Sequence, residues 1–182
     1  MKLLIVHHTD VLGGAEKSIG ELVRGLVGKG VEVHVILPPK GKLSRVLQNA
    51  GAQTISVSIP KVKRTLNPMK LASYVNARAK FSKMAQEKVE EFGIDVVHFN
   101  SLTAAVLFSD GLTRKVPTLL HLRDSIVPKI AFSSLAGNLS AYVAISDYME
   151  RVLSDYLSVP RHKIFRLDNG VSASAPPTEK ER

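Results

Sequence analysis

Residues 3–26 read LLIVHHTDVLGGAEKSIGELVRGL, and this stretch decides the fold. The apolar run 3–6 predicts a short buried strand, and residues 16–26 carry apolar side chains at helical spacing. Between them, Gly13 and Gly14 lack the Cβ atoms that would keep a ligand away from the backbone. A strand, a glycine turn and a helix start direct free N–H groups and a positive helix end at an anion. The stretch therefore predicts a loop that faces a phosphate-bearing ligand.

Strand and helix patterns alternate along the whole chain. Runs typical of strands cover 3–6, 31–37, 54–57, 95–99, 118–121, 141–145 and 163–167, and helical patterns cover about 15–28, 42–50, 68–92, 102–113 and 147–157. Such alternation predicts an α/β fold with a doubly wound, mainly parallel, Rossmann-like sheet. Ligands bind at the carboxyl ends of the strands in sheets of this kind. The side chains expected there are those of His7, His98, His121, Ser146 and Asn169.

Composition restricts the class of protein. With 182 residues and 45% hydrophobic content, the chain is long enough for one domain with a sizeable core. It contains no cysteine, which excludes disulfides and thiol catalysis and favours a cytoplasmic protein. The net charge of +9 predicts an acidic partner: nucleic acid, an anionic membrane or phosphorylated substrates. Aromatic residues make up only 5%, so nucleic-acid binding by base stacking is not expected.

Two familiar phosphate-binding patterns do not fit the Gly13-Gly14 loop. A P-loop requires glycine directly before Lys-Ser or Lys-Thr, whereas Glu16 precedes Lys17 here. A dinucleotide fingerprint requires an acidic residue at the end of the second strand, and this chain has a Leu37-Pro38 sequence there. The dispersed histidines lack the spacing of a zinc site, so no metal is expected.

A third pattern fits. The segment GGAEKSIGELVRGLVGKGVEVHVI, residues 13–36, resembles the opening of family 4 glycosyltransferases with the GT-B fold. Further landmarks of that family follow in order over residues 1–171. They are DVVH at 95–98, TLLH at 118–121 with Asp124, AIS at 144–146 and NGV at 169–171. The family often has aspartate after the last motif, where this chain has Ser172.

The resemblance implies the N-terminal, acceptor-side domain of a two-domain enzyme. Residues 1–171 would form this domain, and residues 172–182, which include Pro176-Pro177, would begin the linker to an absent donor domain. The complete enzyme would move a hexose from a nucleotide sugar to a hydroxyl of a sugar, lipid-linked or phosphorylated acceptor, with retention, in glycolipid or polysaccharide synthesis. No cofactor other than the donor substrate is implied, and this half is expected to be inactive by itself.

The resemblance also implies roles for individual residues. Gly13 and Gly14 would contact the donor phosphates. His121 would hydrogen-bond the transferred hexose, and Asp124 would orient His121 or touch the acceptor. The alternatives are a packing turn for the glycines, a loop histidine for His121 and a loop-stabilising role for Asp124. Residues assigned either to the acceptor side or to structural roles are His7, Glu16, Arg123, Ser146 and Asn169.

A basic segment follows the third strand. Residues 61–83 contain seven Lys or Arg and no acidic residue, and those proposed to contact anionic lipid are Lys61, Lys63, Arg64, Lys80 and Lys83. Lipid headgroups attract such residues, although a charged helix face is often simply solvated. The segment predicts peripheral attachment to the inner face of the membrane. It also supports the rival function, a non-catalytic basic α/β module that binds phosphorylated ligands or anionic membrane.

Overall fold

Seven parallel strands form one sheet in the part of the chain that the structure, a computed structural model, describes, namely residues 1–9, 14–39, 41–59, 68–123 and 138–168. The strand order is β3-β2-β1-β4-β5-β6-β7. The strands are β1 (Lys2–Val6), β2 (Glu32–Leu37), β3 (Gln53–Ser56), β4 (Val96–Phe99), β5 (Thr118–Leu122), β6 (Ala141–Ala144) and β7 (Ile164–Arg166). The predicted α/β, Rossmann-like fold is confirmed.

Helices cover both faces of the sheet. They are α1 (Gly14–Val27), α2 (Lys42–Asn49), α3 (Pro68–Phe92), α4 (Leu102–Phe108) and α5 (Asp147–Arg151), which continues as a π-helical turn over Val152–Tyr156. Short 3₁₀ turns lie at Leu112–Arg114 and Arg161–Lys163. None of the helices in the described ranges has the length and the apolar character needed to cross a bilayer.

Glycine follows the two longest helices of the described residues. Gly30 and Gly93 follow α1 and α3 with φ angles of 77° and 63°, a left-handed conformation that glycine adopts without steric cost. The amide of Ile94 then donates to the carbonyl of Val89 at 3.0 Å, which closes the end of α3. The chain can therefore turn sharply from each helix into the next strand.

The predicted helix over 102–113 is interrupted. The α4 helix ends at Phe108, and Gly111 has a φ of 73° before the 3₁₀ turn begins. The side chain of Gln86 in α3 approaches to 2.6 Å of the position that a Cβ on Gly111 would occupy. A side chain at this position would strain the left-handed backbone and force the end of the Gln86 side chain to move, which is consistent with glycine in this turn.

Two apolar clusters cover the faces of the sheet. On one face, Ile19 and Val23 of α1 and Leu43 and Leu47 of α2 pack against the odd-numbered residues of β1 and β2. On the other face, α3 and α4 cover β1, β4, β5 and β6, and the rings of Phe81 and Phe108 stack at 5.1 Å. The first face becomes polar over β4 and β5, where the candidate site lies.

Candidate functional site

Polar side chains collect where β1, β4 and β5 end. His7 and Asn100 directly follow β1 and β4, and His121 is the penultimate residue of β5. Each is 9% exposed or less. Backbone pairing continues past the strand ends, since the amide of His7 donates to Ile36 and that of Asn100 donates to Val6. These side chains are therefore held on a rigid edge of the sheet.

Strand register brings these residues to one face. Ile5 pairs with His98, and His98 pairs with Leu119 on β5. Because side chains two residues apart share a face, His7 and Asn100 lie on the face that carries His98 and His121. The side chains of Asn100 and His7 form a hydrogen bond between Nδ2 and Nδ1 at 3.1 Å.

A second pair of polar side chains supports this edge. Ser101 caps α4, with its Oγ accepting from the amide of Ala104 at 3.1 Å. The same hydroxyl lies 2.7 Å from Nδ1 of His8. Ser146 caps α5 in the same way, with its Oγ accepting from the amide of Met149 at 3.3 Å. The structure therefore shows a capping role for both serines.

His121 lies between a cation and a second imidazole. Arg123 Nη2 is 3.1 Å from His121 Nδ1, and the rings of His98 and His121 stack with centroids 5.6 Å apart and planes at 23°. Burial, followed by the charge of Arg123, lowers the pKa of His121 to about 3. Burial, followed by His121, Arg123 and His7, lowers the pKa of His98 to about 3. Both imidazoles are therefore neutral at physiological pH.

Three buried atoms of this cluster have no hydrogen-bond partner among the residues that the structure describes. They are His98 Nε2, His121 Nε2 and Asn100 Oδ1. Buried polar atoms in folded proteins are nearly always hydrogen-bonded to protein or to ordered water. Donor and acceptor atoms left over at a strand edge are available to a polar ligand.

The start of α1 lies at the same edge. Helix α1 follows β1 and returns over the face that carries His7, so its N-terminus faces the carboxyl end of the sheet. A Cβ added to Gly14 would meet no atom within 4 Å. Close packing among the described residues therefore does not explain the glycine.

The sequence profile of Glycosyltransferase Family 4 matches residues 12–175. The chain belongs to glycosyltransferase family 4. No curated protein sequence matches it significantly. The predicted family is thus confirmed over most of the chain.

Solved structures with this fold include complete glycosyltransferases. A Rickettsia africae glycosyltransferase has 21% identity and a TM-score of 0.69, with 93% of this chain and 43% of that chain covered. Anabaena HepE in complex with UDP has 18% identity and a TM-score of 0.68, covering 94% and 44%. The lipopolysaccharide outer core galactosyltransferase WaaB has 15% identity and a TM-score of 0.69, covering 100% and 50%. This family 4 domain therefore spans about half the length of these structures.

Several of the predicted site residues lie outside the described residues. These are Gly13, Asp124, Asn169, Lys61, Lys63 and Arg64. Glu16 falls within α1, but its side chain is not among those described. Lys80 and Lys83 lie exposed on α3, about two turns or more from its first residue. The described residues contain no group of three or more His, Cys, Asp or Glu side chains that could hold a metal ion.

Sequence reasoning did not assign a role to His98 or Asn100 in this family 4 domain. The sequence places His98 at the end of a strand, but the contacts of both residues depend on the pairing of β4 with β1 and β5. The available signal was a pair of histidines in neighbouring strands: His98 at the third position of β4 and His121 at the fourth position of β5. That signal becomes useful only when the stagger between the two strands is known.

Proposed function

We propose that this chain is the N-terminal, acceptor-side domain of a retaining GT-B glycosyltransferase that transfers a hexose from a nucleotide sugar to an acceptor hydroxyl. The observation that carries the proposal is the buried cluster of His7, Asn100, His98 and His121, in which His98 Nε2, His121 Nε2 and Asn100 Oδ1 have no partner among the described residues. The cluster lies beside the N-terminus of α1, a position suited to an anionic group. A sugar joined to a diphosphate offers hydroxyls to the polar cluster and negative charge to the N-terminus of α1.

The proposed roles follow from this arrangement. His121 contacts a hydroxyl of the transferred hexose, while Gly13, Gly14 and the start of α1 face the donor phosphates. Asp124 and Arg123 act next to His121. His7, Glu16, Ser146 and Asn169 support the acceptor side or the local structure.

The donor class is supported by related structures. Anabaena HepE has been solved with UDP and with UDP-glucose. The name of WaaB assigns it a galactosyl transfer to lipopolysaccharide. By analogy, the proposed pathway is glycolipid or polysaccharide synthesis with a sugar, lipid-linked or phosphorylated acceptor.

A second half completes the proposed enzyme. The chain covers 43–50% of the three structures described above, each of which is longer. We therefore propose that residues 1–171 form one domain, that residues 172–182 begin a linker, and that this half is inactive without a donor domain.

The test begins with the native reading frame beyond Arg182. The full-length protein should release nucleoside diphosphate from one member of a nucleotide-sugar panel when an acceptor is present. His121→Ala should lower kcat/KM at least about 100-fold, the scale of losing a hydrogen bond made in the transition state. His162→Ala, at an exposed histidine of the last 3₁₀ turn, should leave turnover unchanged. Equal loss in both variants, or no turnover with any donor, would contradict the proposal.

A second candidate function, docking to an anionic membrane, is supported by α3. The described side chains from Met69 to Lys80 are all exposed or half-exposed, whereas Phe81, Ala85 and Val89 are buried. Ala77 is the first described side chain of α3 that packs against the apolar core, so the described side chains before it lie outside that core. Met69 and Val75 are 83% and 65% exposed, and Lys80 and Lys83 lie on the same helix.

Vesicle binding tests this surface and, with it, the expected peripheral location on the inner membrane face. Lys80→Gln with Lys83→Gln should weaken binding to vesicles of 30% anionic phospholipid by roughly 30-fold, at about 1 kcal/mol for each lost basic residue. Lys29→Gln with Lys42→Gln makes the same charge change in the turn after α1 and at the start of α2 and should have a much smaller effect. Equal effects of the two pairs would indicate that net charge, rather than α3, governs binding.

A further inference from the structure

Arg123 determines which nitrogen of His121 carries the proton. A guanidinium group has five N–H donors and no acceptor. The Nη2 of Arg123, 3.1 Å from His121 Nδ1, must therefore donate to a lone pair on that nitrogen. A neutral imidazole has one N–H group, so the hydrogen of His121 lies on Nε2.

The surroundings of His121 oppose a second proton on the ring. Among the described residues, the titratable groups that face it are Arg123 at the end of its own strand and His98 on β4, and His7 on β1 is the next in the cluster. On the β6 side, its register partner is the apolar Val143. One of these groups is a permanent cation and the others are imidazoles, so none stabilises an imidazolium. The lowered pKa of His121 agrees with this geometry.

We propose that Arg123 is a positioning residue that fixes His121 in its neutral Nε2–H form, so that the site presents a hydrogen-bond donor to its ligand. In the frame of the proposed function, on which the choice of ligand rests, the acceptor is a hydroxyl oxygen of the bound hexose. The Nε2 atom is buried and has no partner among the described residues, which leaves its N–H available for that bond. The Nδ1 lone pair is occupied by Arg123, so this ring does not act as a general base.

Nitrogen NMR of the 182-residue chain tests the assignment without any substrate. Two-bond ¹H–¹⁵N correlations of a uniformly ¹⁵N-labelled sample distinguish the two neutral tautomers and the imidazolium. The His121 signals are identified by their loss in His121→Gln. We expect a single Nε2–H form of His121 at every pH from 5 to 8.

Arg123→Met removes the donor and the charge and retains a long side chain. This variant should convert His121 to a mixture of tautomers and should move its titration upward. Arg161→Met removes an exposed arginine that lies 3.8 Å from Asp155, and it should leave the His121 signals unchanged. Backbone amide spectra of both variants establish that they are folded.

Three results would overturn the proposal: an Nδ1–H form in the wild-type chain, an imidazolium there at pH 7, or wild-type His121 signals in Arg123→Met. The wild-type spectrum decides the first two even where Arg123→Met fails to fold. Because no ligand takes part, failure of this proposal is distinct from failure of the full-length protein to transfer sugar.

Discussion

Two buried histidines, His34 and His121, lie on opposite faces and at opposite ends of the same sheet. His34, near the start of β2, is 1% exposed and stacks on Phe92 of α3 at 4.4 Å. His121, near the end of β5, is 9% exposed and stacks on His98 at 5.6 Å. Both rings are packed against an aromatic neighbour, yet their ionic partners have opposite charge.

The partner decides what each ring can do. Glu32 Oε1 lies 2.9 Å from Nε2 of His34, and because a carboxylate only accepts, His34 donates its Nε2–H to Glu32. Arg123 instead donates to Nδ1 of His121 and opposes positive charge on that ring. His34 thereby connects β2 to α3, since its ring also stacks on Phe92. The Nε2 of His121 has no partner among the described residues at the candidate site.

The comparison teaches that burial alone does not identify a functional histidine. Each ring has one buried nitrogen without a partner among the described residues, Nδ1 of His34 and Nε2 of His121, so an unpaired atom does not separate the two either. The difference is the charge of the neighbour: a cation beside a buried imidazole breaks a local rule, as functional sites often do at a cost in stability. The predictions below test this difference through stability.

The largest effect should come from acidification. His98 and His121 have a pKa of about 3 in the folded chain against 6.5 when exposed, so the unfolded chain binds more protons between these values. Stability is therefore fully present above pH 6.5 and declines as pH falls toward 3. By pH 5 each histidine should lower the free energy of unfolding by about 2 kcal/mol, which urea unfolding at pH 7 and pH 5 would measure.

A variant of His98 separates the contributions of the two histidines to this loss of unfolding free energy at low pH. His98→Phe keeps a ring against His121 and removes one titrating group, so the loss between pH 7 and pH 5 should fall by roughly half. His162→Phe, at an exposed site, should retain the whole loss. Equal stability of the wild-type chain at the two pH values would show that the pair is not held neutral by the fold.

The next effect separates the two histidines directly. His34→Ala should lower the free energy of unfolding by about 3 kcal/mol, because it opens a cavity beneath Phe92 and removes a packed ring. His121→Ala at pH 7 should cost about 1 kcal/mol, since it also removes a ring held beside a cation. Urea unfolding of both variants measures the difference, and a larger cost for His121→Ala would reverse the assignment of the structural and functional sites.

Much of the fold could be predicted from the sequence because its signals are local. Continuous apolar runs such as 3–6 and 31–37 indicate strands buried on both faces, and Gly30 and Gly93 mark helix ends. The helix predicted over 102–113 was too long, since the contact between Gly111 and Gln86 of α3 is a tertiary feature. Local propensity carries no information about that contact.

The site could be predicted in position but not in its contacts. Strand ends located His7 and His121 at one edge of the sheet, whereas Arg123 could be assigned only broadly, to the acceptor side or to a structural role. The contact of its guanidinium with His121 is seen only in the structure. Stacking of His98 on His121 depends on a stagger in which His98 pairs with Leu119, and a single sequence does not show that register.

The smallest effect concerns the carboxylate beside His34. The hydrogen bond with His34, followed by the charge of Lys2, holds the pKa of Glu32 below its usual value of 4.5 despite partial desolvation. A depressed carboxylate pKa adds stability above the unfolded value, and this stability disappears as pH falls through the folded value. Glu32→Gln should therefore be slightly less stable than the wild-type chain at pH 7, and the difference should shrink below pH 4.5.

Urea midpoints of the two proteins at a series of pH values measure that convergence. Glu87→Gln is the matched control, because its carboxylate is exposed and lies 3.9 Å from Lys83 on the surface of α3. It should show no comparable change with pH. A gap between Glu32→Gln and the wild-type chain that stays constant down to pH 3 would mean that His34 is held by packing on Phe92 alone. The contrast between a histidine paired with an anion and one paired with a cation would then rest on His121 only.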